Sequence, residues 1–134
     1  MKRMLFIIAL VVSANAFAGE LSRNDNAIDR AVLTSAVENR EPVDNLDSTV
    51  MVGDEPVEIT FFTQVLNQAD AKVSHLWFRQ NQLMAEVPLA IGSPNWRTYS
   101  TKTILSDWLG RWRVLVVDGD QNIILEYEFN VEPK

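Results

Sequence analysis

Two runs near the C-terminus constrain the fold more than any other feature of the chain. In residues 111–117, Trp112, Val114 and Val116 occupy alternate positions, and in residues 123–131, Ile123, Leu125, Tyr127, Phe129 and Val131 do the same. Successive side chains of a strand point to opposite faces, so a period-two apolar run predicts a strand with one buried side. The turn-forming segment Asp118-Gly119-Asp120-Gln121-Asn122 lies between the two runs, and together they read as an antiparallel hairpin with Gly119 as its left-handed turn residue.

The pattern recurs upstream. Val57, Ile59, Phe61, Thr63 and Val65 alternate with Glu58, Thr60, Phe62 and Gln64. Residues 73–78 and 83–89 are two further strands around a hairpin-length break at Arg79-Gln80-Asn81-Gln82, and the chain turns again at residues 91–95. Residues 96–103 are a polar, Thr-rich strand, followed by a connection over 105–110. Residues 28–37 fit a helix or an edge strand equally well; Pro42 disfavours helical geometry at Glu41, so any helix ends before it. About seven short strands at roughly ten-residue spacing predict an all-β, antiparallel, immunoglobulin-like β-sandwich, with a small barrel as the alternative. Residues 28–134 form the single domain, of which 28–56 is loosely ordered or an edge strand, and residues 19–27 are a polar, flexible lead-in.

Residues 1–18 read as a cleaved signal peptide, with Lys2 and Arg3, an apolar run over 4–12 and the small-residue site Ala16-Phe17-Ala18. Export to the periplasm, or secretion, follows from that reading, and the mature chain has no transmembrane segment. The chain contains no cysteine, which excludes disulfides, thiolate metal ligands, a thiol nucleophile and the lipid-bearing cysteine of a lipoprotein. The formal net charge is −6, and residues 19–56 hold much of the acid. Bulk electrostatics of that sign disfavour nucleic acid or anionic lipid as partners.

Five short motifs occur in a set order: Arg40-Glu41-Pro42; Phe61-Phe62-Thr63; His75 and Trp77; Trp96, Arg97, Ser100 and Lys102; and Trp108, Gly110, Trp112 and Val114. In that order they resemble the bacterial family known as domain of unknown function 2914, from about Arg30 to Val131. The resemblance implies an exported or membrane-attached β-rich module and no established activity, cofactor or catalytic residue.

His75, the only histidine, shares a strand face with Val73 and Trp77. No nucleophile or set of acidic ligands is signalled beside it, so it reads as a structural residue holding a buried hydrogen bond. Trp77 and Trp112 are likewise structural. Trp96, Ser100 and Lys102 face one side of their strand, and Arg97, Tyr99 and Thr101 the other. An aromatic plane beside a hydroxyl and an ammonium suits a carbohydrate ring or a partner's carboxylate, whereas burial of Trp96 at the sandwich edge is the structural alternative. Trp108 is either an exposed anchor or a plug over the end of the sandwich. Arg111 and Arg113 are placed to pair with Glu126 and Glu128 across the last hairpin. Asp118-Gly119-Asp120 departs from the calcium-loop pattern, and no phosphate loop or nucleophile elbow occurs.

These readings converge on a non-enzymatic module without cofactor or metal that docks an envelope protein through Trp96, Arg97, Ser100, Lys102 and Trp108. The alternative is a polysaccharide-binding module using the same tryptophans.

Overall fold

The computed structural model describes residues 19–134, and the signal-peptide reading of residues 1–18 lies outside the described residues. Among the described residues eleven strands follow one another: β1 (Gly19–Arg23), β2 (Ile28–Thr34), β3 (Val37–Glu38), β4 (Glu41–Pro42), β5 (Thr49–Val52), β6 (Val57–Leu66), β7 (Lys72–Arg79), β8 (Gln82–Ala90), β9 (Asn95–Ile104), β10 (Gly110–Val117) and β11 (Ile123–Pro133). A six-stranded sheet has the order β1-β11-β10-β7-β8, with β5 added in parallel along β11, and a three-stranded sheet has the order β2-β6-β9. β3 and β4 form a separate hairpin. The architecture is an all-β, mostly antiparallel sandwich of the two larger sheets.

The inner faces of the two sheets supply the core. Phe61 on β6 meets Trp77, His75 and Tyr127 of the opposite sheet edge-on, with ring centroids 6.4, 5.5 and 5.1 Å away. Trp112 stacks on Phe129 at 6.1 Å, and all five large aromatics of this layer are buried. Each such side chain contributes roughly 1.5–3 kcal/mol by leaving water. The Tyr127 hydroxyl donates to the Asp47 carbonyl, fastening the loop before β5, and burial pushes its pKa up to about 12.

Four readings change. Gly19–Arg23, taken from its polarity as a flexible lead-in, is strand β1, paired with β11 through Gly19↔Glu128 to Arg23↔Leu125. It lacks apolar alternation because its backbone docks on a sheet edge while its middle residues stay exposed. β3, β4 and β5 raise the number from the expected seven to eleven; β3 and β4 have two residues each and pair only with one another, and β5 buries Val50 and Val52 but is only four residues long. Residues 28–34 are the edge strand of the two alternatives. In the last hairpin the register shifts between Val116 and Val117, so Ile124 and Leu125 are both buried while Ile123 is 58% exposed. The turn there places Gln121, with φ 70°, in the left-handed region instead of Gly119. Asp118 shapes it by accepting bonds from the backbone amides of Asp120 and Asn122, both at 2.9 Å.

Candidate functional site

Strands β6 and β9 run side by side through ten residue pairs, from Val57↔Ile104 to Leu66↔Asn95. Period two divides their side chains between the interior and the outer surface, and two different polar constellations result.

The inner one is a closed hydrogen-bonded chain. Trp77 Nε1 donates to Ser100 Oγ at 3.0 Å, and Ser100 Oγ lies 2.7 Å from His75 Nδ1. His75 Nε2 lies 3.1 Å from Thr63 Oγ1, which in turn donates to the Thr98 carbonyl at 3.4 Å. Because the indole can only donate and the carbonyl can only accept, every group is satisfied when the imidazole proton sits on Nε2 and the serine hydroxyl donates to Nδ1. His75 is fully buried, and desolvation drives its pKa down to about 3, so it stays neutral. Both ring nitrogens are engaged, which leaves neither for substrate or metal.

The outer constellation is built from four segments. Arg30 on β2 donates through Nε to Gln64 Oε1 at 2.7 Å, and through its two terminal nitrogens to the Glu41 carboxylate at 2.9 and 2.8 Å. Arg97 on β9 donates to the same carboxylate. Gln64 completes the row by donating to Asn95 Oδ1 at 2.7 Å. The hydrogen bonds from Arg30 and Arg97, with their charges, hold the Glu41 carboxyl at a pKa of about 2.

Glu41 reaches these arginines from the β3–β4 hairpin. Its two turn residues, Asn39 and Arg40, both have positive φ, 53° and 63°, which is the type I′ geometry of a tight hairpin. Asp44 staples the base by accepting from the Thr34 and Ser35 hydroxyls at 2.7 and 2.6 Å and from the Ser35 amide at 2.8 Å. At the tip, the Arg40 guanidinium lies 5.5 Å from the Trp96 ring centroid and makes no ion pair among the described residues. The result is an open cleft of about 410 Å³ lined by Arg30, Arg40, Arg97, Gln64, Asn95 and Trp96, with Ser93 at its rim.

The expected interaction residues therefore do not share one surface. Arg97 is on the outer face. Ser100 is buried, with 4% of its surface exposed, so it cannot meet a partner as expected. Trp96 and Lys102 have its parity and turn inward, each half-buried at an opposite end of β9. They lie six positions apart, roughly 20 Å along a strand. Trp96 still borders the cleft because it lies at the strand's start, its ring against Gly92, where a Cβ would come within 2.8 Å. Lys102 Nζ lies 5.3 Å over the Trp108 ring, and Trp108 packs at 6.1 Å from Trp112, accepting the Trp112 Nε1–H on its carbonyl. That is the plug geometry of the two alternatives for Trp108. Ile104, buried and of the same parity as Ser100, was the available signal for which face of β9 turns inward. Trp77 and Trp112 are buried, and Arg111 and Arg113 approach Glu128 and Glu126 at 3.6 and 3.5 Å.

Arg30, Arg40, Glu41, Gln64 and Asn95 were not singled out as a site by sequence reasoning. They come from separated segments and no local spacing joins them; only the Arg40-Glu41-Pro42 motif touched the group. Among the described residues there is no group of three or more side chains able to hold a metal ion, and no helix is long and apolar enough to cross a membrane.

The family model described as "Protein of unknown function (DUF2914)" matches residues 70–131. The matched span includes the motifs around His75, Trp96 and Trp108 and leaves out Arg40-Glu41-Pro42 and Phe61-Phe62-Thr63. No curated protein matches the chain. Among solved structures, the CARDB domain of the PF1109 protein from Pyrococcus furiosus, crystallised in complex with di-metal ions, aligns with a TM-score of 0.45 at 12% identity, over 81% of this chain and 97% of that one. A Niemann-Pick type C2 protein from the Japanese carpenter ant aligns with a TM-score of 0.37 at 7% identity, over 80% and 91%.

Proposed function

We propose that this chain, which belongs to the DUF2914 family through residues 70–131, is an exported, non-enzymatic binding module that docks a partner protein of the cell envelope at the arginine cleft. One observation carries the reading: on a chain of net charge −6, three arginines converge on one open cleft against a single carboxylate. Local charge of sign opposite to the whole supplies recognition of an acidic group, and guanidinium forks add directional bonds. A non-enzymatic role is supported by His75, whose two nitrogens are both committed inside the core and whose pKa lies far below neutrality. The placement in the envelope rests on the signal-peptide reading of residues 1–18. The glycan alternative loses its stacking platform, since the Trp96 ring meets Gly92 and has Arg40 over it.

The test is capture of envelope proteins on the purified protein and on an Arg40→Ser/Arg97→Ser variant of unchanged circular dichroism. A defined protein held by the wild type, lost in the variant and released by moderate salt supports the reading. Equal capture by both refutes it, and recovery of polysaccharide replaces it with glycan binding.

A further inference from the structure

The Glu41 carboxylate bridges Arg30 and Arg97. It takes two parallel bonds from Arg30 at 2.9 and 2.8 Å and a third from Arg97, the fork geometry with which arginine pairs recognise carboxylates. The strands hold the two arginines in place. Arg30 is set by its bond to Gln64 and by lying 5.0 Å over the ring of buried Phe62, and Arg97 is opposite Gln64 in the β6–β9 register. The hairpin that delivers Glu41 is attached differently. It has two residue pairs of its own, belongs to neither large sheet, and carries non-glycine residues of positive φ at its turn. Its base is stapled by Asp44, independently of the contacts that Glu41 and Arg40 make nearer the tip. Arg40, the second tip contact, rests on Trp96 without an ion pair, so displacement of the hairpin costs that end one cation–π interaction.

From this we infer that the Arg30–Arg97 pair is a carboxylate-binding clamp and that Glu41 is its built-in competitor, displaced when an acidic side chain of a partner protein enters the cleft. The inference rests on the reading of the cleft as a docking site and adds the chemistry recognised and the device that restrains it. A tethered competitor acts through its effective concentration, which is of millimolar order for short tethers, so an isolated acidic peptide competes poorly and a partner presenting several carboxylates competes well. Because Arg30, Arg40 and Arg97 outnumber Glu41, the cleft keeps excess positive charge whichever carboxylate fills the clamp, which favours acidic sequences over neutral ones.

The decisive experiment titrates a hexaglutamate peptide, with inorganic phosphate in parallel, into the protein and its Glu41→Gln, Arg97→Gln and Glu41→Gln/Arg97→Gln variants at constant ionic strength. The Trp96 indole and hairpin amides are followed by NMR, and circular dichroism confirms that each variant folds. Removing a tethered competitor should tighten peptide binding by about tenfold or more in Glu41→Gln, and the double variant should lose that gain. The wild-type hairpin amides should shift and exchange faster as peptide saturates. If Glu41→Gln binds the peptide no better than wild type while Arg97→Gln abolishes binding, the cleft is a docking site but Glu41 only organises it, and the inference falls alone. Equal tightening toward phosphate in Glu41→Gln overturns the carboxylate assignment. Absence of peptide binding in both wild type and Glu41→Gln also overturns the inference, while the capture experiment still decides the docking reading independently.

Discussion

Thr63 and Gln64 are neighbours on β6, as are Ser100 and Thr101 on β9, yet the two faces of this strand pair manage polarity in opposite ways. Inside, Thr63, Ser100, His75 and Trp77 form a chain in which each donor has one acceptor and no charge is present. Outside, Gln64 and Arg97 join Arg30, Arg40 and Glu41 in a group with charge left over. The inner chain is costly to disturb and has nothing to offer a partner. The outer group is solvated, cheap to rearrange and retains free donors. Stability and recognition are thereby assigned to alternate residues of the same two strands.

Truncating the inner aromatic should produce the largest effect. Trp77→Ala empties a fully buried site against Phe61 and Phe129 and should cost about 3–5 kcal/mol, read from the urea midpoint. A midpoint within error of wild type would refute the placement of the core. Ser100→Ala comes next. It deletes little volume but leaves the Trp77 Nε1–H and His75 Nδ1 without partners, two groups each worth about 1–3 kcal/mol when buried unpaired. A loss of about 3 kcal/mol is expected, and rescue by Ser100→Thr would separate the effect of the hydrogen bonds from that of the volume.

The third test is pH. In the folded protein the pKa of His75 is down at about 3, against an ordinary value of 6.5. Between those values the unfolded chain binds a proton that the folded chain does not, so stability is full above 6.5, falls as the pH drops, and has lost the whole contribution near pH 3. Linkage gives about 2 kcal/mol lost by pH 5, and His75→Gln should flatten that slope. An unchanged slope in the variant would show that the proton uptake lies elsewhere.

How much of this was legible in the sequence follows the same division. The strands over 57–65, 73–89 and 111–131 were readable because burial on one face imposes alternation, and His75 could be placed beside Trp77 for the same reason. Strands β1, β3, β4 and β5 were not: β1 is held by backbone pairing at a sheet edge with its middle residues exposed, β3 and β4 have two residues each, and the alternation of Val50 and Val52 in β5 spans only four residues. On β9, alternation correctly grouped Trp96, Ser100 and Lys102, but in a Thr-rich strand only Ile104, at its end, marks that group as the inner one. The cleft depended on tertiary register alone: Arg30, Glu41 and Arg97 become neighbours only because β2 and β9 flank β6 and the β3–β4 hairpin folds over them.

The smallest effect on stability belongs to the outer face, and there the comparison is sharpest. Arg97→Gln removes one of two arginines on Glu41, and Arg30 keeps its paired bonds to the same carboxylate. Solvent screens such pairs and their side-chain ordering offsets much of the attraction, so the urea midpoint of Arg97→Gln should match that of wild type in both low and high salt. Binding should respond where stability does not. Removing a cationic side chain from the cleft lowers the salt dependence of partner affinity, so a plot of affinity against salt should be shallower for Arg97→Gln than for wild type, and the Ser100→Ala plot, once the folded fraction is corrected for, should run parallel to wild type. If Ser100→Ala changed that slope and Arg97→Gln did not, recognition would be coupled to the interior chain, and the separation of the two faces would fail.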